Sequence, residues 1–178
     1  MTLDCGCPPE YPDWDGQDVD LGGFRVHTLP IPTFFHMPLA FEAYLQRQQQ
    51  AIDTLELEEP WPRLILTRTG LLRGSITRLL KDTTSMSRHV RNLPAPYHVR
   101  GMLHHGNVSM LAKPVREMQL ALTEEGRIPK ELYLCHLTCP RCSEDRGGDK
   151  ILVLRHWRES PTLRRRVKQR AASRGGTV

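Results

Sequence analysis

Five cysteines fall in two tight groups, Cys5-Gly6-Cys7 near the N-terminus and Cys135 with Cys139-Pro140-Arg141-Cys142 much later. A C-x-x-C turn sets two thiolates on one metal ion, and a second pair from elsewhere completes the tetrahedron that a structural zinc prefers. The spacing assigns Cys5, Cys7, Cys139 and Cys142 to such a site, which would staple the N-terminal segment to a late loop. Cys135 and His136 alternate along an extended run and face opposite ways, and either could replace one of the four. Reduced cysteines without metal are the plain alternative. Redox chemistry needs a low-pKa thiol at a helix start; Cys139 instead follows an extended run and precedes Pro140, which argues against thioredoxin-like activity.

His104-His105-Gly106 closes another extended run at the mouth of a helix, where imidazoles can hold a ligand or exchange protons. His36 stands at a comparable place in the first half, so pseudo-twofold symmetry would aim it and one of the pair at a shared groove. Alternation lets only one of His104 and His105 face there, and one packed and one solvated histidine is the simpler arrangement. A flat or cationic ligand would be met by aromatic rings and a carboxylate; Tyr97, Tyr133 and Trp157, with Glu42 and Glu117, supply them. Each of these has an ordinary role in core packing or on a solvated helix face. The chain has no Gly-rich phosphate loop and no G-x-S-x-G nucleophile turn.

The elements that must position these groups come as one order run twice: strand, helix, strand, strand, over about 24–80 and again over about 97–157. Phe41, Leu45, Gln48 and Ile52 step along one helical face, Leu111, Val115, Met118 and Leu122 along another, at a constant offset of 70 residues. Gln48 is the one polar residue on the first face. Helices are predicted over about 39–57 and 109–125. Strands are predicted at 24–31, 64–67 and 71–79, then at 97–103, 131–138 and 150–157. Residues 1–23 form an irregular, Pro-, Gly- and Asp-rich lead-in, 81–96 a linker ending in Pro-Ala-Pro, and 158–178 a basic tail with little to bury. The segment 24–157 reads as one domain.

The strand from Tyr97 to Leu103, the His-His-Gly turn, a helix ending in Glu124-Glu125-Gly126-Arg127-Ile128-Pro129, and then Glu131-Leu132-Tyr133-Leu134 resemble the GyrI-like small-molecule-binding domain. That family is related to the SOUL haem-binding proteins and includes effector domains of multidrug-responsive regulators. The resemblance spans about 24–157 and implies an α+β fold: two pseudo-symmetric β-α-β-β units forming an antiparallel sheet with two helices packed across it. It also implies a groove for a small organic ligand at the pseudo-twofold axis, part of it near Tyr133 and Trp157. Some relatives it implies are hydrolases acting through a pocket glutamate and aromatic residues. The cysteine-bearing lead-in and the C-x-x-C loop depart from the pattern, and a DNA-binding domain ahead of this one is not expected.

Charge narrows the partners. The chain carries a net charge of +5, but seven of its Lys and Arg lie from Arg158 onward against the single acid Glu159, leaving the body near neutral. The tail could touch nucleic acid, yet no aromatic residues interleave its arginines to stack bases, and a solvated tail is the simpler reading. No run is long and apolar enough to cross a membrane, and no basic-then-apolar leader opens the sequence, so a cytoplasmic address is expected. The expectation is a small-molecule-binding module with a structural zinc. Its rivals are a hydrolase on the same scaffold, using Glu117 or Glu42, and a zinc-containing regulatory or nucleic-acid-associated protein.

Overall fold

A computed structural model describes residues 5–174. The elements are β1 (Asp18–Asp20), β2 (Arg25–Phe34), β3 (Met37–Pro38), α1 (Phe41–Thr54), β4 (Ile65–Arg68), β5 (Arg73–Leu80), β6 (Val90–Asn92) and β7 (His98–His105). A short 3-10 turn (Val108–Met110) then leads into α2 (Ala112–Glu124), β8 (Arg127–His136), β9 (Lys150–Glu159) and α3 (Pro161–Arg174). Nine antiparallel strands form one sheet in the order β1-β7-β9-β8-β4-β5-β2-β3, with β6 also on β2. The second repeat contributes β7-β9-β8 and the first β4-β5-β2. They meet at a narrow seam where Thr67 of β4 pairs with Leu134 of β8.

Both long repeat helices lie on one face of this sheet. Phe41, Tyr44 and Leu45 of α1 pack on Leu29, Ile31, Ile65 and Ile76; Met118 and Leu122 of α2 close over Trp157 and Met102. Burying each such aliphatic side chain contributes roughly 1.5–3 kcal/mol. Gln48 sits on the core face because its amide donates to the carbonyls of His27 and Ile76, both at 3.2 Å. A buried amide so bonded is tolerated where an unpaired one is not.

The opposite face is covered by the lead-in. Trp14 and Leu21 join Val26, Leu66, Val99, Leu152 and Leu154 in the largest apolar cluster, and Trp14 meets Trp61 edge to face at 5.0 Å. The lead-in can lie this close because Gly101 has no side chain: a Cβ there would strike the Trp14 carbonyl.

Several boundaries are sharpened or moved relative to the sequence reading. The first helix ends at Thr54, because Glu56 takes a left-handed turn (φ 51°) and the Leu57 N–H returns to the Ile52 carbonyl. The second starts at Ala112, the start that Pro114 in the sequence already suggests, since in the first turn its missing N–H costs nothing. The lead-in carries β1 and the 81–96 segment carries β6, each pairing with an otherwise open strand flank. The basic tail is helical to Arg174 among the described residues, and Gly126, at φ 78°, leaves room for the Arg164 backbone to approach.

Asp18 fastens the lead-in. Its carboxylate accepts from Arg100 and Arg127 at 2.7 Å and from the Trp157 indole at 3.1 Å. Burial alone would raise its pKa, but the two guanidiniums outweigh that and hold it below the usual carboxylate value. A depressed folded value gives stability that is present above the unfolded pKa, near 3.8, and lost as pH falls through the lower folded one. Asp18→Asn is therefore expected to lose on the order of 1 kcal/mol at neutral pH. Urea unfolding across pH should show its stability declining less steeply below about pH 4 than that of the parent protein.

Candidate metal centre and ligand groove

Cys5, Cys7, Cys139 and Cys142 place their sulfurs within 4.8 Å of one another, in the combination the spacing assigned. Gly6 permits this: its φ of 74° folds the chain back between Cys5 and Cys7, so both side chains point the same way. On the other side the chain after β8 makes a tight turn in which the N–H groups of Cys142 and Ser143 bond to the Cys139 carbonyl at 3.0 and 2.9 Å. The Cys139 N–H points at the Cys142 sulfur, 3.4 Å away. Arg146 ties the two segments by donating to the carbonyls of Pro8 and Leu137.

The four thiols are not equivalent. Burial and the hydrogen bonds to Cys139, Cys5 and Cys142 push the Cys7 thiol up. Burial would raise Cys139 too, but the backbone N–H groups of Arg141 and Cys142 and the neighbouring thiols stabilise its thiolate and bring it down to about 7. The set could hold a metal ion, and four sulfur donors leave no open coordination position. Cys135 is fully buried in the apolar cluster on the other face, where burial raises its thiol, and takes no part. His136 faces the helix side instead.

Beside this cluster runs a groove of about 820 Å³. Its end wall is Cys5–Pro8 with Cys139, its far wall is α1, and its floor is the seam. Antiparallel register sets Arg78 of β5, Ile65 of β4 and His136 of β8 in one row across that floor. Phe41, Leu45 and Ile65 supply apolar surface. His136 opens to the groove but is hemmed in by protein, and desolvation lowers its basicity.

Arg78 is buried, and its Nη1 donates to Gln49 Oε1 at 2.8 Å and Glu59 Oε2 at 3.1 Å. Burial works against both charges, raising Glu59 and lowering Arg78, while their mutual attraction opposes each shift.

The ligand-binding residues expected from sequence do not form one set. Tyr97 and Tyr133 do meet, hydroxyl to hydroxyl at 2.6 Å, but on the sheet face away from the helices and the groove. Trp157 lies under α2 with Arg127 over its ring at 4.0 Å. His104 is half buried beside Gly106 and Met110, and His105 is exposed at the edge. His36 is exposed at the β2–β3 turn, five strand steps from β7 or about 24 Å at ~4.8 Å per step, too far to share a groove with either. Of the two candidate acids, Glu42 stands on the α1 rim of the groove, and Glu117 is solvent-facing, 3.9 Å from Lys113.

The carboxylate that does lie beside tyrosine and histidine is Glu131. Its Oε2 is 2.6 Å from His156 Nδ1, and the His156 ring stacks on Tyr97 at 4.0 Å. Burial alone would raise Glu131, but the hydrogen bond from His156 and the nearby Arg68 charge hold it low. Burial raises both tyrosines. Strand alternation places Glu131 on Tyr133's face, a signal the sequence carried; the His156 contact depends on the β8–β9 register and was not legible.

The C-terminal domain of EcmrR superposes with a TM-score of 0.55 at 9% identity, over 80% of this chain and 96% of that one, supporting a GyrI-like fold. Residues 2–156 match the family described as bacterial hydrolase, and the chain belongs to that family. No curated protein matches it.

The Arg78–Glu59 pair has a direct test. Removing one member strands the other charge, so Arg78→Met should cost about 3–5 kcal/mol. In Arg78→Met/Glu59→Leu that loss should be largely recovered. Denaturant melts of the two single variants and the double variant measure the difference.

Proposed function

We propose that this protein is a small-molecule-binding domain whose groove is walled by a structural zinc centre. The observation that carries the reading is that the four clustered sulfurs belong to the same two segments that close the groove's end. Four thiolates and no open position suit zinc in a structural, not catalytic, role. A volume of about 820 Å³, apolar surface from Phe41, Leu45 and Ile65 and a few placed polar groups suit a small organic ligand. No described helix is long and apolar enough to cross a membrane, and a reduced thiol set fits a reducing compartment such as the cytoplasm. The cations of α3 lie outside the groove, and no nucleic-acid role is assigned to them.

Protein purified without an affinity tag is expected to contain one zinc per chain, and Cys139→Ser to lose it while keeping its helix content. The variant should also lose the thermal stabilisation that groove ligands give the parent protein. Protein with four reduced thiols and no metal would remove the zinc.

Hydrolysis is the second reading, favoured by the family and by the Glu131–His156–Tyr97–Tyr133 cluster. Here Glu131, ionised and partly open to solvent, is the general base that takes a proton from water, with His156 orienting it. Glu117 and Glu42 lack the buried tyrosine and histidine neighbours such a role needs. On a panel of p-nitrophenyl esters, Glu131→Gln should then cost about 100-fold or more in kcat with the fold intact. An unchanged rate in a folded variant removes this reading.

A further inference from the structure

The turns at one end of the first repeat are apolar and uncovered. Phe34 of β2 pairs with Met37 of β3, and Phe35 and His36 are the two residues between them. The β4–β5 turn lies alongside. The N–H groups of Thr33, Phe35 and His36 donate to the carbonyls of Leu72, Leu71 and Gly70 at 3.2, 2.9 and 3.2 Å, and the Thr33 hydroxyl donates to Gly70 at 2.7 Å. The two turns are thus one unit, on which Phe34, Phe35, Met37, Leu71 and Leu72 are each more than half exposed. Exposed apolar residues scattered singly mean little, but a gathered set on one projection marks a contact site.

The backbone at this projection is strained. Phe35 and His36 take φ of 47° and 66°, the left-handed pair that Asn-Gly adopts freely and that bulky side chains resist. The Phe35 ring meets Phe34 edge to face at 4.7 Å, and the residue is 66% exposed. The core gains little from it, and strain of this kind gathers at sites of contact and function. Charge then selects the partner. The chain has no acid between Asp20 and Glu42 or between Glu59 and Asp82, the stretches that build the two turns, and Arg73 is exposed beside Leu72. Pairing also brings α3 to the same end: β4 runs toward Gly70 antiparallel to β8, so the turns project where β8 begins and β9 finishes. There the Arg164 backbone lies against Gly126, and Arg164, Arg165, Arg166, Lys168 and Arg170 of α3 are all exposed, with no acid in the helix.

We propose that this end of the sheet docks on an anionic phospholipid surface, the two turns entering the headgroup boundary and the cations of α3 meeting lipid phosphates. Apolar insertion and electrostatic attraction together are what interfacial binding needs. Two copies of the chain meeting through these turns would set like charges together, and a nucleic acid would answer the cations but not the aliphatic side chains. The contact is interfacial, not a span, and does not depend on what the groove binds.

The test is flotation of the full chain with two sets of vesicles, phosphatidylcholine alone and phosphatidylcholine with about 30% phosphatidylglycerol, in ~0.1 M salt. The anionic vesicles are expected to hold the protein about tenfold or more better than the neutral ones. Phe35→Asn suits the left-handed turn and leaves the core untouched, and it should weaken that binding about tenfold. Leu72→Ser tests the other turn, with the same expected loss, and serves alone if Phe35→Asn does not fold. Arg165→Gln/Arg166→Gln/Lys168→Gln should bring anionic and neutral vesicles to within a few-fold of each other. No flotation with anionic vesicles overturns the proposal, as does unchanged binding in both folded turn variants, which would leave α3 acting by charge alone. A dimer that Phe35→Asn dissolves, found without vesicle binding, would assign the turns to a second copy and overturn it too. Binding of RNA without binding of vesicles does the same.

Discussion

Residues 5–8 are held against the loop after β8 by very little besides sulfur. The Arg146 hydrogen bond to the Pro8 carbonyl is one polar tie, and the convergence of Cys5, Cys7, Cys139 and Cys142 is the other. That junction is also the end wall of the groove, so the shape of the groove depends on a contact between segments over 130 residues apart. A metal ion held by these sulfurs would supply the energy such a contact needs, because ligand binding that exists only in the folded chain adds directly to folding stability.

From this junction the rest of the site is positioned by the repeat. Two copies of one unit, each with its helix on the same face, place a seam between β4 and β8 that neither helix covers fully. In the first copy Arg78 and Gln49 border that gap and bond to each other. The second uses the equivalent Arg155 to hold its own backbone at Lys130. One scaffold thus uses one arginine to hold backbone and the other in an ion pair with Glu59. The opposite sheet face, closed by Trp14 and Leu21, keeps the Tyr97, Tyr133, His156 and Glu131 cluster separate from the groove.

The parts of this arrangement visible in the sequence are those encoded locally. Helical faces at fixed spacing disclosed the duplication, and C-x-C with C-x-x-C disclosed the four converging cysteines, because each needs only the chain's own periodicity. Gln48 stood out as an interruption, and its two backbone partners explain it. What could not be read depends on pairing between distant strands. Arg78 shares a floor with His136 only because β4 joins β8 in one register, and His156 reaches Glu131 only through the register of β9. Tyr97, Tyr133 and Trp157 all belong to the second repeat, which in sequence suggests one groove. Alternation sends Tyr133 to one sheet face and Trp157, on the neighbouring strand, to the other.

Hydrogen–deuterium exchange, compared before and after the metal is stripped with a chelator under reducing conditions, tests the staple most directly. The account predicts that amides of residues 5–17 and of the loop after β8 exchange at near open-chain rates once metal is gone, while those of β9 stay protected. Unchanged protection of residues 5–17 in fully stripped protein would contradict it, since packing alone would then hold the wall in place.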